Sequence, residues 1–420
     1  MLEAFLAVVA SVFSLCAWGS APVEDAPSPP PLKDSVTLSS AYFERAYTNK
    51  QLTGFGLEVV RLGVRAETLL PSRWAVFLWK GFCAGIVERA LATALRETGH
   101  GLRLRALYSD GAYVLMRDRE VKTMPTEKDE NFFKFFFIKL VNAGEALCSP
   151  LLEGFVAEEL SITSSGDSNK AKDWLKKGVI FRTGGINNNI YLAELLSNQI
   201  FAHEDVPFFE GYSYITEQTS GARYAARAKK VQDELFGADS VYETLGVPAT
   251  LANIKRAGWT SVALSGTTYY VAYSTWNALM GKEQSVRPFA FRGIRIPDTF
   301  SYLTTKGVSF RTISEYNVRD HLDLTFGAEY IIYGLSATEF NVGVKQTLDE
   351  AGHDISYACS FTFGLGLDVE ASVRIPVSQR IALGADVGVY SRKSLLGERH
   401  STNLRKEYGV NFSVSLSWMY

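Results

Sequence analysis

The last third of the chain is written in period two. Between Asp354 and Leu367 the apolar residues Ile355, Tyr357, Cys359, Phe361, Phe363, Leu365 and Leu367 alternate with Ser356, Ala358, Ser360, Thr362, Gly364 and Gly366. Successive side chains of a strand point to opposite faces, so this pattern predicts an extended segment with one apolar and one small or polar face. The pattern recurs at 322–332, 340–344, 381–389 and 408–420. In the last of these, Tyr408, Val410, Phe412, Val414, Leu416, Trp418 and Tyr420 alternate with Gly409, Asn411, Ser413, Ser415 and Ser417. About seven such segments follow Pro288. Short turns such as 378–380 and a longer polar loop at 395–403 separate them.

The middle of the chain has a different period. Trp79, Phe82, Cys83, Ile86, Val87, Ala90 and Ala94 fall at helical spacing, which predicts a helix over 74–98 ended by Gly99 or Gly101. Two short strands are expected over 102–116 around Ser109-Asp110-Gly111. Further helices are expected at 190–202, 221–235, 248–255 and 260–280, with Gly184-Gly185 and Asn187–Asn189 as a turn before the first of them. The uncharged stretch 257–281 is rich in Ser, Thr and Tyr, which favours a helix buried in protein over a membrane span. Residues 131–140 hold five phenylalanines and are expected in the core, as strand or helix.

The N-terminus adds a targeting element. Residues 4–17 are an apolar run too short to span a bilayer, followed by small residues suited to cleavage before Ser20. The expected organisation is a signal peptide at 1–19 and a Pro-rich linker at 20–35. N-terminal strands follow at 36–70 (36–43 and 56–65), then a mainly helical insert at 71–285 and barrel strands at 286–420. Charge is near balance at −2, so no basic field points to nucleic acid. The four cysteines (Cys16, Cys83, Cys148, Cys359) include no C-x-x-C pair, which supports neither a disulfide framework nor a Cys-based zinc site.

Strands of about ten residues with an apolar face opposite a polar one are what a transmembrane barrel needs, because lipid offers no hydrogen-bond partners and the sheet must close. The C-terminal third resembles bacterial outer-membrane β-barrel proteins. Its last strand, with Phe412, Val414, Trp418 and Tyr420, is similar to their C-terminal assembly signal. The resemblance implies a mixed fold, an antiparallel transmembrane β-barrel of roughly eight to twelve strands with a large helical insert. It also implies an outer-membrane location, lipid and the barrel-assembly machinery as partners, and a structural or porin-like solute-passage role. A soluble periplasmic binding module is the alternative for the same alternation.

A second chemistry is suggested by ALRETGHGLRLRA (94–106). Its Arg96-Glu97-Thr98-Gly99-His100 core has the frame of H-E-x-x-H, in which two histidines one turn apart hold zinc and the glutamate is the general base. Arg96 stands at the first ligand position and has no lone pair to give. The string resembles the H-E-x-G-H zinc helix of membrane-associated metallopeptidases. That resemblance implies Glu97 as base and His100 as ligand, with Glu194 or His203 completing a zinc site. The altered first position points instead to structural pairing of Glu97 with an arginine, or to an inactive relic. His321, His353 and His400 are expected to be solvated. No phosphate loop and no serine or cysteine nucleophile motif is present, and no cofactor other than this zinc is implied.

Overall fold

The computed structural model describes residues 35–41, 49–108, 113–117, 120–124, 168–202, 206–231, 242–243, 245–279, 290–291, 294–319, 322–350, 353–378 and 381–419. The expected signal peptide, the linker up to residue 34, the phenylalanine-rich 131–140 run and Cys148 lie outside them.

The alternating C-terminal segments form one antiparallel sheet. Its strands are β1 (Ser35–Ala41), β4 (Ala290–Phe291), β5 (Ile294–Arg295), β6 (Asp298–Thr304), β7 (Gly307–Arg319), β8 (Leu322–Gly334), β9 (Thr338–Glu350), β10 (His353–Phe363), β11 (Leu367–Pro376), β12 (Ile381–Ser391) and β13 (Tyr408–Met419). Nine of these eleven have seven residues or more. The order runs β1-β13-β12-β11-β10-β9-β8-β7, after which β7 is shared by β6 and by the β5–β4 pair. Among the described strands the sheet has two edges and is not closed. A separate hairpin joins β2 (Tyr113–Arg117) and β3 (Glu120–Met124). The strand expected at 36–43 is β1, and it pairs with the last strand, Val36 opposite Trp418 and Leu38 opposite Leu416.

The run 354–367 is two strands. Gly364 adopts φ 144°, and a Cβ there would lie 2.5 Å from the Thr338 carbonyl oxygen. The apolar alternation therefore passes through a turn that only glycine can make.

Register places the two faces of β8–β13 unambiguously. One face carries Leu324, Phe326, Phe340, Val342, Phe361, Phe363, Leu383, Val387, Val410 and Leu416, all 40–49 % exposed. The opposite face is built of rungs across neighbouring strands. Asp323, Lys345, Ala358, Ser372, Asp386 and Ser413 form one rung. Thr347, Ser356, Arg374, Gly384, Ser415 and Ser39 form the next. Glu329, Glu339, Thr362 and Asp368 lie further along the same inner face and are buried. Thus the sheet buries the Glu329–Asp368 part of its polar side, leaves most of the two outer rungs half-buried, and exposes its apolar side, the inverse of a soluble sheet packed on a core. The first half of β7 is covered, since its Val308 and Phe310 are buried beneath helices, whereas Val318 near its end is exposed.

A helical body packs at the β6–β7 end and on the inner face. It comprises α1 (Asn49–Thr68), α2 (Arg73–Phe82), a π-helical turn (Cys83–Val87), α3 (Glu88–Tyr108), α4 (Ser168–Ala202), α5 (Phe208–Gln218), α6 (Ser220–Val231), α7 (Leu251–Leu264) and α8 (Gly266–Leu279). A short α9 (Leu395–His400) lies between β12 and β13. Helix α4 is buried on every side from Phe181 to Glu194, which makes it the axis of the body.

Four expectations are corrected here. The segment 56–65, expected as a strand, is helical within α1. The helix expected to stop at Gly99 or Gly101 continues to Tyr108, and strand begins only at Tyr113. Gly99 is instead a contact point, because a Cβ on it would lie 2.5 Å from the Gly184 carbonyl oxygen, and one on Gly184 would lie 2.9 Å from that of Gly99. These glycines let two helix backbones touch; they end nothing. Likewise Gly184-Gly185 and Asn187–Asn189 lie inside α4, with no turn. Asn188 donates to the Leu95 carbonyl (2.8 Å) and accepts from Thr53 (2.6 Å), while Asn187 exchanges two hydrogen bonds with the Leu303 backbone (2.7 and 2.9 Å). The amides join α4 to α3, α1 and β6. Finally, the uncharged 257–281 stretch is broken at Ser265, and Trp259, Tyr269, Tyr273 and Trp276 are exposed. Asp298 accepts from the Ser265 hydroxyl (2.6 Å) and from the Thr267 amide (2.8 Å), so it caps the start of α8. No helix among the described residues is long and apolar enough to cross a membrane.

Candidate functional site

The inner rungs of the sheet and the facing helices bring several buried charges together. Period two sends Glu329, Glu339, Asp368 and Glu370 to the same side, and each finds donors from the helical body, a neighbouring strand or the β12–β13 connection. Arg399 of α9 forms a two-pronged contact with Glu329 (2.6 and 2.5 Å), and its guanidinium lies 4.1 Å from the Tyr302 ring centroid. Ser309 also donates to Glu329 (2.6 Å). Arg311 of β7 stands between two carboxylates, 3.3 Å from Glu194 of α4 and 3.9 Å from Glu329. The Tyr302 hydroxyl donates to Glu194 (2.6 Å). Strand, central helix and connecting helix thus meet in one ion network whose members are nearly all buried. A planar guanidinium bonded by two parallel N–H groups fixes orientation as well as distance.

The same connection is held by two more inner-face carboxylates. Glu339 accepts from the Leu395 and Leu396 amides (2.9 and 3.4 Å) at the start of α9, where helix N–H groups have no partner of their own. Asp368 accepts from the Ser391 amide (2.6 Å) and the Ser394 hydroxyl (2.8 Å). Glu370 accepts from the Tyr390 hydroxyl and lies 4.0 Å from Lys50 of α1. His400 is buried, against the expectation of a solvated residue, with its ring 4.6 Å from that of Tyr191. Burial holds its imidazole well below the usual range, and the neighbouring cations Arg399, Arg311, Arg103 and Lys50 push the same way. Neutral His400 therefore adds no charge to a region already supplied with cations.

A third centre lies on α3 and α5. Glu88 and Glu217 are both buried, with Ser213 donating to Glu88 and Ser220 to Glu217 (3.1 Å). Burial raises both carboxyls, and for Glu217 the neighbouring Glu88 raises it further.

Comparison with known proteins gives no relative. The chain matches no family model, no curated protein and no solved structure.

The residues singled out in the 94–106 stretch are dispersed. His100 is buried, its Nδ1 lies 2.7 Å from the Phe181 carbonyl oxygen, and its Nε2 faces Gly185, where a Cβ would lie 2.6 Å away. Arg96 lies over the Tyr224 ring at 5.1 Å. Glu194 is nine residues beyond Gly185 on α4, about 13 Å further along a helix rising 1.5 Å per residue, and is engaged by Tyr302 and Arg311. The structure therefore does not bring His100 and Glu194 together. The Glu97 side chain and His203 lie outside what is described. Among the described residues no group of three His, Cys, Asp or Glu is arranged to hold a metal. Of the assembly residues, Phe412 stands opposite Val387, Val414 opposite Ala385 and Ser40, and Trp418 opposite Ile381 and Val36, all within the sheet; Tyr420 is outside the described residues.

Sequence reading passed over Arg311, Glu329, Asp368, Glu370 and Arg399. A signal was present, since from β8 to β12 the charged residues away from the β9–β10 turn all occupy the non-apolar positions of the alternation.

Proposed function

We propose that this chain is an outer-membrane β-barrel protein whose strands turn their apolar side to lipid and enclose the helical body on their polar side, with a structural or solute-passage role. The observation that carries this reading is the inverted sidedness of β8–β13. Residues such as Phe340, Phe363 and Leu416 stand about half exposed, while Glu329, Glu339 and Asp368 on the other side are buried and bonded. In water such a sheet would leave a large contiguous apolar surface unsatisfied. Against hydrocarbon the same surface is the favoured one, and the buried inner carboxylates Glu329, Glu339 and Asp368 each keep hydrogen-bond donors. The ion network around Glu329 ties the enclosed helices to the sheet, and β1 gives the last strand a partner. Barrel-assembly machinery and lipid are the partners this reading requires.

The test is fractionation of cells expressing the full chain, followed by gel electrophoresis with and without heating. Recovery in the outer membrane, extraction only by detergent, and a mobility that shifts on heating are expected. Folded, monomeric protein in the periplasm without detergent would remove the reading.

A further inference from the structure

One stretch of the inner face is left uncovered by the described helices. At the end of the sheet nearer the β9–β10 and β11–β12 turns, a groove of about 300 Å³ is lined by Lys345, Ser372, Arg374, Gly384, Asp386 and Ser415. Its floor is made small by sequence. Ser356, Ala358 and Ser372 lie between the two cations on successive strands, and Gly384 stands directly opposite Arg374. A side chain at Gly384 would run into the Ser415 hydroxyl, so space beside the guanidinium is built into the register.

The cations in this groove differ from those in the network deeper along the sheet. Arg311 and Arg399 are matched to carboxylates. Among the described residues neither Lys345 nor Arg374 has a side-chain hydrogen bond or an ion pair within 4 Å. Across the groove the charges facing Arg374 from α1 are Arg61 and Glu58, which are already joined to each other at 2.8 Å. Asp386, the anion of the lining, accepts from Ser413 (3.3 Å). Lys345 and Arg374 lie two strands and one rung apart. Strand spacing of about 4.8 Å and a rise of about 3.3 Å per residue put their α-carbons about 12 Å apart. Two long side chains leaning inward from that distance leave a gap the length of a small molecule, over a floor of hydroxyls.

We infer that this groove binds a small organic dianion of the dicarboxylate class, with one carboxylate on Arg374 and the other on Lys345. The inference deepens the solute-passage reading and rests on it for the route the solute takes. Binding itself belongs to the groove and does not require a bilayer. A guanidinium presents a fork matched to carboxylate, and the ammonium is a mobile point charge suited to the distal group. Ser356, Ser372 and Ser415 offer hydroxyls to the remaining oxygens. Asp386 limits the site by repelling an anion extended toward β12.

The test is titration calorimetry of the full chain in detergent micelles with succinate, and with inorganic phosphate, 1,4-butanediol and putrescine as comparison probes. Succinate is expected to bind in preference to the other three, and more weakly as salt rises. Arg374→Gln and Lys345→Gln should each weaken binding about tenfold or more, while Asp386→Asn should strengthen it. Each variant is first checked for the heat-dependent mobility of the wild type. If Arg374→Gln does not fold, Lys345→Gln and the salt dependence of the wild type decide the matter. No succinate binding to folded wild type, equal binding of the diol, or undiminished binding in the folded glutamine variants would overturn the inference. Outer-membrane localisation without succinate binding would reject the groove alone. Succinate binding by protein that proves soluble would reject the lipid reading alone.

Discussion

Val387→Arg separates a sheet in lipid from a sheet in water, because the two environments give opposite results. Val387 lies mid-strand on β12, between Ala371 and Phe412, and is 41 % exposed. In water an arginine at such a position is solvated, and a surface exchange of this kind changes stability by no more than about 0.5 kcal/mol. In a bilayer the same side chain enters the hydrocarbon at roughly 2–4 kcal/mol near the midplane. Full burial of a valine is worth about 1.5 kcal/mol, so losing the 41 % that faces outward removes roughly 0.6 kcal/mol more. The expected total is about 3–5 kcal/mol. Leu335→Arg is the control, since Leu335 is 50 % exposed but lies in the β8–β9 turn, where the lipid cost falls to about 0–1 kcal/mol. The assay is urea titration of protein refolded into lipid vesicles, read by tryptophan fluorescence and by the mobility of unheated samples. A Val387→Arg protein that inserts normally and unfolds within about 0.5 kcal/mol of both wild type and Leu335→Arg would refute the reasoning.

Removing one side of a buried pair leaves an uncompensated charge, so Arg399→Met should cost about 3–5 kcal/mol. Arg399→Met with Glu329→Gln should recover part of that loss in the same urea titration. Gly99→Ala should destabilise by about 1–3 kcal/mol through overpacking against Gly184. Gly178→Ala, on the same central helix with nothing within 4 Å of its new methyl, should be stabilising by up to about 1 kcal/mol from helix propensity. Thermal melts of the two alanine variants compare them directly. Burial raises the carboxyls of Glu88 and Glu217 above their ordinary value of 4.5. The unfolded chain therefore releases these protons first, so stability is fully present below pH 4.5 and declines as pH rises toward the folded values. Glu217→Gln should flatten that decline and stabilise at pH 8, measured by urea midpoints across pH; an unchanged slope would show that the pair does not titrate in this way.

The parts of the fold legible in the sequence are those where one solvent acts on one face. β8, β9, β12 and β13 are written in strict alternation because each has an apolar side and a small or polar side, and β1 was expected as a strand beside the same sheet. Of helix α4 only the C-terminal part, 190–202, was legible, because a helix buried all round carries no stripe and the glycines and asparagines before it have the composition of a turn. Gly364 makes a turn and Gly184 makes a helix crossing; what distinguishes them is a partner backbone more than eighty residues away in the second case. The ion network was hidden for a similar reason. Glu194, Arg311, Glu329 and Arg399 are dispersed over half the chain, and only the register of β7 and β8 and the return of α9 bring them together. The 94–106 string shows the converse. Its residues are close in sequence, yet the helix continues through them and leads His100 to the Gly185 crossing and away from Glu194.

The pairing of β1 with β13 has a consequence for how the chain must be made. From β7 onward each long strand is matched to its neighbour in sequence, so those hairpins can form as soon as their residues are available. The partner of Ser35, however, is Met419, 384 residues further along the chain. Contacts of such separation are slow, because the entropy of closing the loop is lost before the contact is gained. The first strand must therefore wait, unpaired, until β13 has been made. An unpaired edge of alternating Val and Leu invites the wrong neighbour, so the interval before β13 is made is the one in which β1 is most open to mispairing.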